Sequence, residues 1–490
     1  MYRAVCNLFI KSLLELGVSM KKLFLLAGLG LFVLSGCATT PKMSDMSKPV
    51  KRYADFNLYE KTLSNGLKVI VKEDHRAPVM VSQVWYKVGS SSEYSGITGV
   101  SHVLEHMMFK GTQKLAPNEF SKIIAENGGR ENAFTGRDYT AYFQTMEKRR
   151  LPVSFELEAD RMRNIIISEE EFKKEIKVVM EERRMRTEDN PQSLTYEQFS
   201  AAAYVNSPYH APVIGWMDDL ENMNVNDLKK WYDAFYQPNN ATIVIVGDVK
   251  ADEVFALAEK HFGPIPAAPI PEIKPRKEIT QKGIKRLTVK APAQVPYLLM
   301  GYQAASLGDA EHDWEPYALE VLVGVLDGGI SARLETALVR DQQVAASIGS
   351  GYDAFTPGRE LFMFSGTPSQ SHSVEDLENA VREQIEIVQT EQVTDDELER
   401  VKAQVVAGKV YEKDSIFYQA MIIGRLETTN MDWMLAEQYI NNINNVTKEQ
   451  IQAVAKKYLI DDYLTVAVLD PQPIDAAKSR ARSAGGRHGG

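Results

Sequence analysis

A passage in the first half of the chain returns in the second, and that duplication limits the fold more than any other feature. Val225-Asn-Asp-Leu and the β-branched run Ala241-Thr-Ile-Val-Ile-Val246 are echoed by Val446-Thr-Lys-Glu-Gln-Ile451 and Leu464-Thr-Val-Ala-Val468. Ser168-Glu-Glu-Glu-Phe172 is echoed by Thr394-Asp-Asp-Glu-Leu398. Two copies of one plan must each bury an apolar face, and 490 residues suffice for two full cores. Between the copies, 266–283 is rich in Pro and Lys without periodicity and reads as a linker stiff enough to hold the halves apart. The division is then a front domain over 57–265 and a rear domain over 284–470.

The copies differ in chemistry. In the front copy, Ser101 to Lys110 has helical spacing without Pro or Gly, and it contains His102-Val-Leu-Glu105-His106. Positions i, i+3 and i+4 share one helix face, which gathers His102, Glu105 and His106 on one stripe. Two imidazoles one turn apart can hold one Zn²⁺ at about 2.0–2.1 Å per nitrogen. A carboxylate between them can take a proton from water at the ion. The order H-x-x-E-H inverts the usual zinc-protease motif. The only cysteines are Cys6 and Cys37, outside the globular part, so a four-cysteine site is excluded and any ion must use His and carboxylate.

A third ligand comes from the helix after Ser168, which Ser168 and Glu171 open as a capping box. Phe172, Ile176 and Val179 cluster on one stripe, with Glu175 and Glu182 aligned at its flank, while Glu181 points away beside Lys174 and Lys177. Glu182 is therefore the expected third ligand, Glu175 a supporting carboxylate behind it, and Glu181 solvated. In the rear copy the H-x-x-E-H counterpart near 319–323 is Leu-Glu-Val-Leu-Val, with Gly408 in the place of Glu182 and Val401 in that of Glu175. That half keeps the fold without the metal, as the other wall of a substrate chamber or as a structural duplicate.

Gly128-Gly129 leads into a β-prone run through Asn132, Ala133, Phe134 and Thr135. A peptidase holds its substrate extended, and adding it to a sheet edge does so without reading side chains. We read 130–136 as that edge, with Asn132 able to bond substrate backbone; an ordinary core strand is the alternative. The net charge of −10 and the lack of a basic stripe argue against nucleic-acid binding.

The N-terminal segment reads as an address. Met20-Lys-Lys precedes an apolar run of signal-peptide length ending Leu34-Ser-Gly-Cys37. This resembles a bacterial lipobox, with Cys37 lipidated, Met20 the true start and residues 1–19 upstream of it; a plain secretory signal is the alternative. Ala38 and Thr39, with no Asp after the Cys, favour by the same resemblance the outer membrane facing the periplasm. Residues 38–56 read as a tether and 471–490 as a disordered tail, in which His488 is no ligand.

Together these residues resemble the zinc peptidases that include pitrilysin, insulin-degrading enzyme and mitochondrial processing peptidase, and most of all their short bacterial members. The matching pieces are Asn65-Gly-Leu-Lys-Val69, Gly99–Thr112, Gly128-Gly with Asn132–Thr135, Glu175–Glu182 and Val244-Ile-Val-Gly-Asp248, spread over 57–470. The resemblance implies an α+β fold: two homologous α/β-sandwich halves, each a mainly antiparallel sheet with helices packed on it, forming a clam-shell around a central chamber. It implies one Zn²⁺ per chain on His102, His106 and Glu182, with Glu105 as general base of a metalloendopeptidase acting on peptides or unfolded segments. The family usually carries an Arg and, seven residues on, a Tyr in its rear half, for the substrate carbonyl or oxyanion. Here Val339 and Ala346 stand there, with Arg340 one position off. A homodimer, or a heterodimer with a metal-less homologue supplying that pair, is implied. The rival reading is a non-catalytic binding or assembly subunit of an envelope complex, as in relatives within respiratory cytochrome complexes; those lose the motif that this chain keeps.

Overall fold

The computed structural model describes residues 48–474. The signal and lipobox readings, Cys6, Cys37 and the tail from 475 onward lie outside them. Among the described residues, twelve strands form two sheets. The front sheet is built from β1 (Lys51–Tyr53), β2 (Leu58–Thr62), β3 (Lys68–Glu73), β4 (Val79–Tyr86), β5 (Arg130–Thr135), β6 (Thr140–Glu147) and β7 (Ala241–Gly247). The rear sheet is built from β8 (Lys285–Pro292), β9 (Tyr297–Ala304), β10 (Ala345–Gly351), β11 (Glu360–Pro368) and β12 (Leu464–Gln472).

The duplication is exact in topology. The front order β3-β7-β4-β6-β5 recurs as β8-β12-β9-β11-β10, and β1-β2 is an addition at the front. Each sheet is antiparallel except for one parallel pair, and the pair is equivalent in the two halves: β3 with β7, and β8 with β12. The expected hairpin closes at Asn65-Gly66, where Gly66 takes φ +86°, a conformation that glycine reaches without a Cβ clash. The expected edge strand is at the edge, since β5 ends the front sheet with β6 on one side and no strand on the other.

Both faces of each sheet are covered, and the two halves do this for each other. On β3 and β7, Val69, Val71, Ile243 and Ile245 face the front half's own core, whereas Ile70, Val244 and Val246 face the opposite way. That second face is covered by helix Ile416–Thr428 of the rear half, through Ala420 and Ile423, with Trp433 beside it. In return, helix Pro191–Ala203 of the front half lies on β8, β9 and β12, packing Phe199 and Ala203 against Leu299 and Ala467. Each crossing turns on a glycine. Gly424 lies flat against the Trp85 indole, and Gly301 against the Phe199 ring, with no room for a Cβ at either.

Three sequence readings change. The linker does not hold the halves apart, because they share two apolar clusters. Its backbone is irregular but tied down: the Glu278 carboxylate accepts the N–H groups of Val205, Asn206 and Ser207 at 3.0, 3.0 and 2.7 Å. Order also begins earlier and ends later than composition suggests. β1 pairs with β2 inside the segment read as tether, and Pro471 and Gln472 of the segment read as tail pair with Ala291 and Pro292.

A methyl group at the tighter crossing tests the shared packing. Gly424→Ala should destabilise the fold by about 1–3 kcal/mol through overpacking against Trp85, despite the better helix propensity of Ala. A lowered thermal midpoint in calorimetry would be the readout, and an unchanged or raised midpoint would contradict the packing described.

Candidate metal centre

The motif helix, Val100–Met107, buries Val100, Val103, Leu104 and Met107 in the front core, which turns His102, Glu105 and His106 the other way. Its start is fixed from both sides. Gly99 adopts φ +86° against the backbone of Ile214 and Gly215, where a side chain would clash. The buried Glu93 carboxylate accepts the N–H of Gly99 at 2.7 Å and of Ser101 at 2.9 Å. Burial pushes the Glu93 carboxyl up to about 7, against these two donors, which favour the charged form. Glu93 had no signal in the sequence, because its role depends on where the loop before the helix folds.

Helix Glu169–Arg183 lies alongside, with Phe172, Ile176 and Val179 buried. Ser168 caps it by accepting the Glu171 N–H, but the Glu171 side chain turns to Lys174 rather than completing a capping box. Its two flank carboxylates reach the motif helix as the periodicity predicts. Glu182 Oε2 is 3.4 Å from His106 Nε2, and Glu182 Oε1 is 4.0 Å from His102 Nε2. Glu175 lies behind, with Oε2 3.3 Å from His106 Nδ1 and Oε1 2.7 Å from Lys110 Nζ. Glu181 points away and pairs with Arg184.

One ligand atom from each of His102, His106 and Glu182 lies within 4.8 Å of the other two. Tetrahedral ligands with bonds of about 2.1 Å stand about 3.4 Å apart, so the observed spacing fits one zinc ion with a small closure at His102. Protonation state agrees. Burial, with His106 nearby, lowers His102 to about 3, leaving a neutral imidazole with a free lone pair. Arg186, one turn beyond Glu182, gives its Nη1 to Glu182 Oε1 at 2.6 Å; this partner was not foreseen. A second grouping of ligand-type side chains, Glu311, His312 and Glu315, already holds a cation: Lys457 Nζ sits 2.9 and 2.6 Å from the two carboxylates.

Glu105 belongs to the same face but not to the ligand triangle. Its Oε2 accepts the Thr135 hydroxyl at 2.5 Å, and burial raises its carboxyl while that hydrogen bond opposes the shift. Thr135 ties the motif helix to β5, which runs along a cavity of about 900 Å³ containing all four motif-linked side chains. Of the expected substrate strand, Ala133 and Thr135 turn toward the motif helix side. Phe134 turns the opposite way and packs its ring on Trp85, Tyr139 and Phe143. Asn132 is exposed and its Oδ1 accepts the Ala133 N–H at 2.9 Å, occupying a backbone donor of the edge.

The rear half lends Tyr297 and Leu299 to this cavity. Val339 packs instead on the rear core, and Ala346 is exposed on β10. Arg340 bonds its own turn through Ile330 O and Thr336 Oγ1, both at 2.6 Å. Where the front half leaves room for an ion, the rear helices Glu315–Asp327 and Asp395–Lys413 close together, with Gly324 against Val401.

Comparison with known proteins agrees with this division of labour. Residues 68–215 match the family model "Insulinase (Peptidase family M16)", and residues 222–405 match "Peptidase M16 inactive domain". The zinc protease PqqE of Helicobacter pylori is 33% identical over 429 residues, spanning 84% of this chain and 92% of that protein. The crystal structure of a protease from Helicobacter pylori superposes with a TM-score of 0.80 at 31% identity, covering 84% of this chain and 99% of that one. The periplasmic protease PqqL of Escherichia coli shares the fold at a TM-score of 0.73 and 17% identity, over 90% of this chain but 51% of its own. With its two halves matched in tandem and a relative one-third identical over most of both chains, this chain belongs to peptidase family M16.

Proposed function

We propose that the chain is a zinc-dependent metalloendopeptidase that cleaves peptides or unfolded protein segments. The observation that carries this reading is the convergence of His102, His106 and Glu182 on one point, with Glu105 beside it and an open sheet edge along the same cavity. A zinc ion held there would supply Lewis acidity toward a carbonyl and lower the pKa of water toward about 7. Glu105 accepts the proton of the attacking water and returns it to the leaving amine. Thr135 holds the Glu105 carboxylate in place, and Glu175 orients His106 through Nδ1. The substrate adds to β5 as a further strand through backbone hydrogen bonds.

A Glu105→Gln variant should bind zinc as the native chain does and lose about 10²–10⁴-fold in cleavage of an unfolded casein. Glu182→Gln should lose the bound zinc itself. Metal analysis beside the protease assay reads both; undiminished hydrolysis by Glu105→Gln would refute the mechanism. Zinc binding without cleavage by the native chain would favour the assembly-subunit reading.

The oxyanion partners come from another chain in this reading. Val339 and Ala346 lie off the cavity, so an Arg and a Tyr at those positions would serve a neighbour's site. The Escherichia coli protease, of which this chain matches about half, carries in one polypeptide the length of two such units. The isolated chain should therefore run about 10²–10³-fold below its complex with a homologue bearing the pair. Kinetics of the chain alone and co-purified with that homologue measure this, and equal rates would remove the need for a partner.

We place the protein in the bacterial envelope, lipid-anchored at Cys37 and facing the periplasm from the outer membrane. The support is the lipobox-like sequence alone. Cys37→Ser should move the protein from the membrane fraction to the soluble fraction on cell fractionation, and retention in the membrane would reject the anchor.

A further inference from the structure

The hairpin that joins β5 to β6 carries a guanidinium that the mechanism does not use. Arg137 follows Thr135 by two residues, about 7 Å of extended chain, and its side chain lines the substrate cavity. It is three-quarters buried, and its guanidinium lies 4.6 Å from the centre of the Tyr209 ring and 5.8 Å from that of Tyr204. Its one hydrogen bond runs from Nη2 to the Tyr196 hydroxyl at 3.3 Å.

Structural arginines in this chain look different. Arg183 grips Glu197 with two bonds of 2.7 and 2.9 Å, and Arg333 grips Glu397 with two of 2.8 and 2.9 Å. Arg137 instead stands 3.6 Å from Glu360, beyond hydrogen-bond reach. Both hydrogen bonds to Glu360, from the Tyr204 hydroxyl at 3.0 Å and the Leu361 N–H at 2.9 Å, fall on Oε1, so Oε2 faces Arg137 as an ion pair without a hydrogen bond, and burial raises the carboxyl. Arg137 is thus a cation flanked by two aromatic rings and the Glu360 carboxylate, with most of its five donors unspent beside the cavity.

We propose that Arg137 is a specificity residue that binds a carboxylate side chain of the substrate on the N-terminal side of the cleaved bond. The side follows from direction. A strand added to β5 antiparallel, as β6 is, runs from the Thr135 end toward the Arg130 end, so its upstream residues pass Arg137. The guanidinium offers a planar fork that matches a Glu or Asp carboxylate. This rests on the peptidase reading for the meaning of upstream, but not for the binding itself.

The test uses amidated peptides of one neutral cleavable sequence, with a single Glu walked through four positions on each side of the bond and Gln as the paired control. For native zinc-loaded protein, Glu at one upstream position should raise kcat/KM over Gln by about tenfold. Arg137→Gln should bring that ratio below about twofold, and Arg137→Lys, which keeps the charge without the fork, should leave an intermediate ratio. Because the readout is a ratio within each variant, loss of folded protein cancels. Fluorescence anisotropy of the same peptides on Glu105→Gln protein reads the preference without turnover, so absent cleavage alone would count against the peptidase reading and not against Arg137. A flat Glu/Gln ratio, a preference confined to downstream positions, or a preference that survives in Arg137→Gln would overturn the proposal.

Discussion

The reciprocal exchange of one helix between the halves is the constraint on which the remaining geometry rests. A sheet with two apolar faces needs cover on both, and each half supplies only one cover of its own. The second cover for the front sheet is Ile416–Thr428, and for the rear sheet Pro191–Ala203. Separating the halves would expose Trp85, Ile423 and Phe199, which are almost fully buried, at the usual cost of about 25 cal/mol per Å² of apolar surface. The relative placement of the halves is therefore part of the core rather than a property of the linker. It also sets the cavity: the helix whose Phe199 packs on the rear sheet presents Gln192, Ser193 and Tyr196 to the substrate space.

Within that frame the metal site is an arrangement of charges that need one another. Glu182 is partly buried and turns its carboxyl oxygens toward two imidazoles, of which His102 is kept neutral by burial. A cation is what the trio calls for, and Arg186 supplies part of one from the side. Behind them the Glu175 carboxylate is shared between His106 and Lys110. In the rear half Gly408 and Val401 stand in place of the two carboxylates and the helices pack directly, Gly324 against Val401; the acid left on the motif-equivalent helix, Glu320, accepts from the Tyr439 hydroxyl and lies near Lys409.

What could be read from the sequence was what is encoded locally. His102, Glu105 and His106 fall on one stripe because helical spacing puts them there, and Glu182 follows from the apolar stripe of its own helix. The β-branched run of 241–246 pointed to a buried strand, without saying that one of its two covers comes from residues 416–428. The direction of the Phe134 ring was not legible, because alternation along a strand gives two faces without naming which one packs on the core. Arg186 stands one turn beyond Glu182, so helical spacing could have found it, whereas Glu93 and Arg137 acquire their roles from partners that only the folded chain brings near. Arg137 meets Tyr204, Tyr209 and Glu360 across as many as 223 positions of sequence, and no window of residues contains that encounter.

Duplication also leaves this protein with two open ladder edges of equivalent origin, β5 and β10. The first is regular over Arg130–Thr135. The second is irregular: its pairing with β11 slips between Ala345 and Ser347, and glycines stand at 349 and 351. A slipped, glycine-bearing margin is a poor template for another backbone. The same strand of the plan is thus regular beside the metal site and broken in the rear half, where a regular edge would invite pairing between chains.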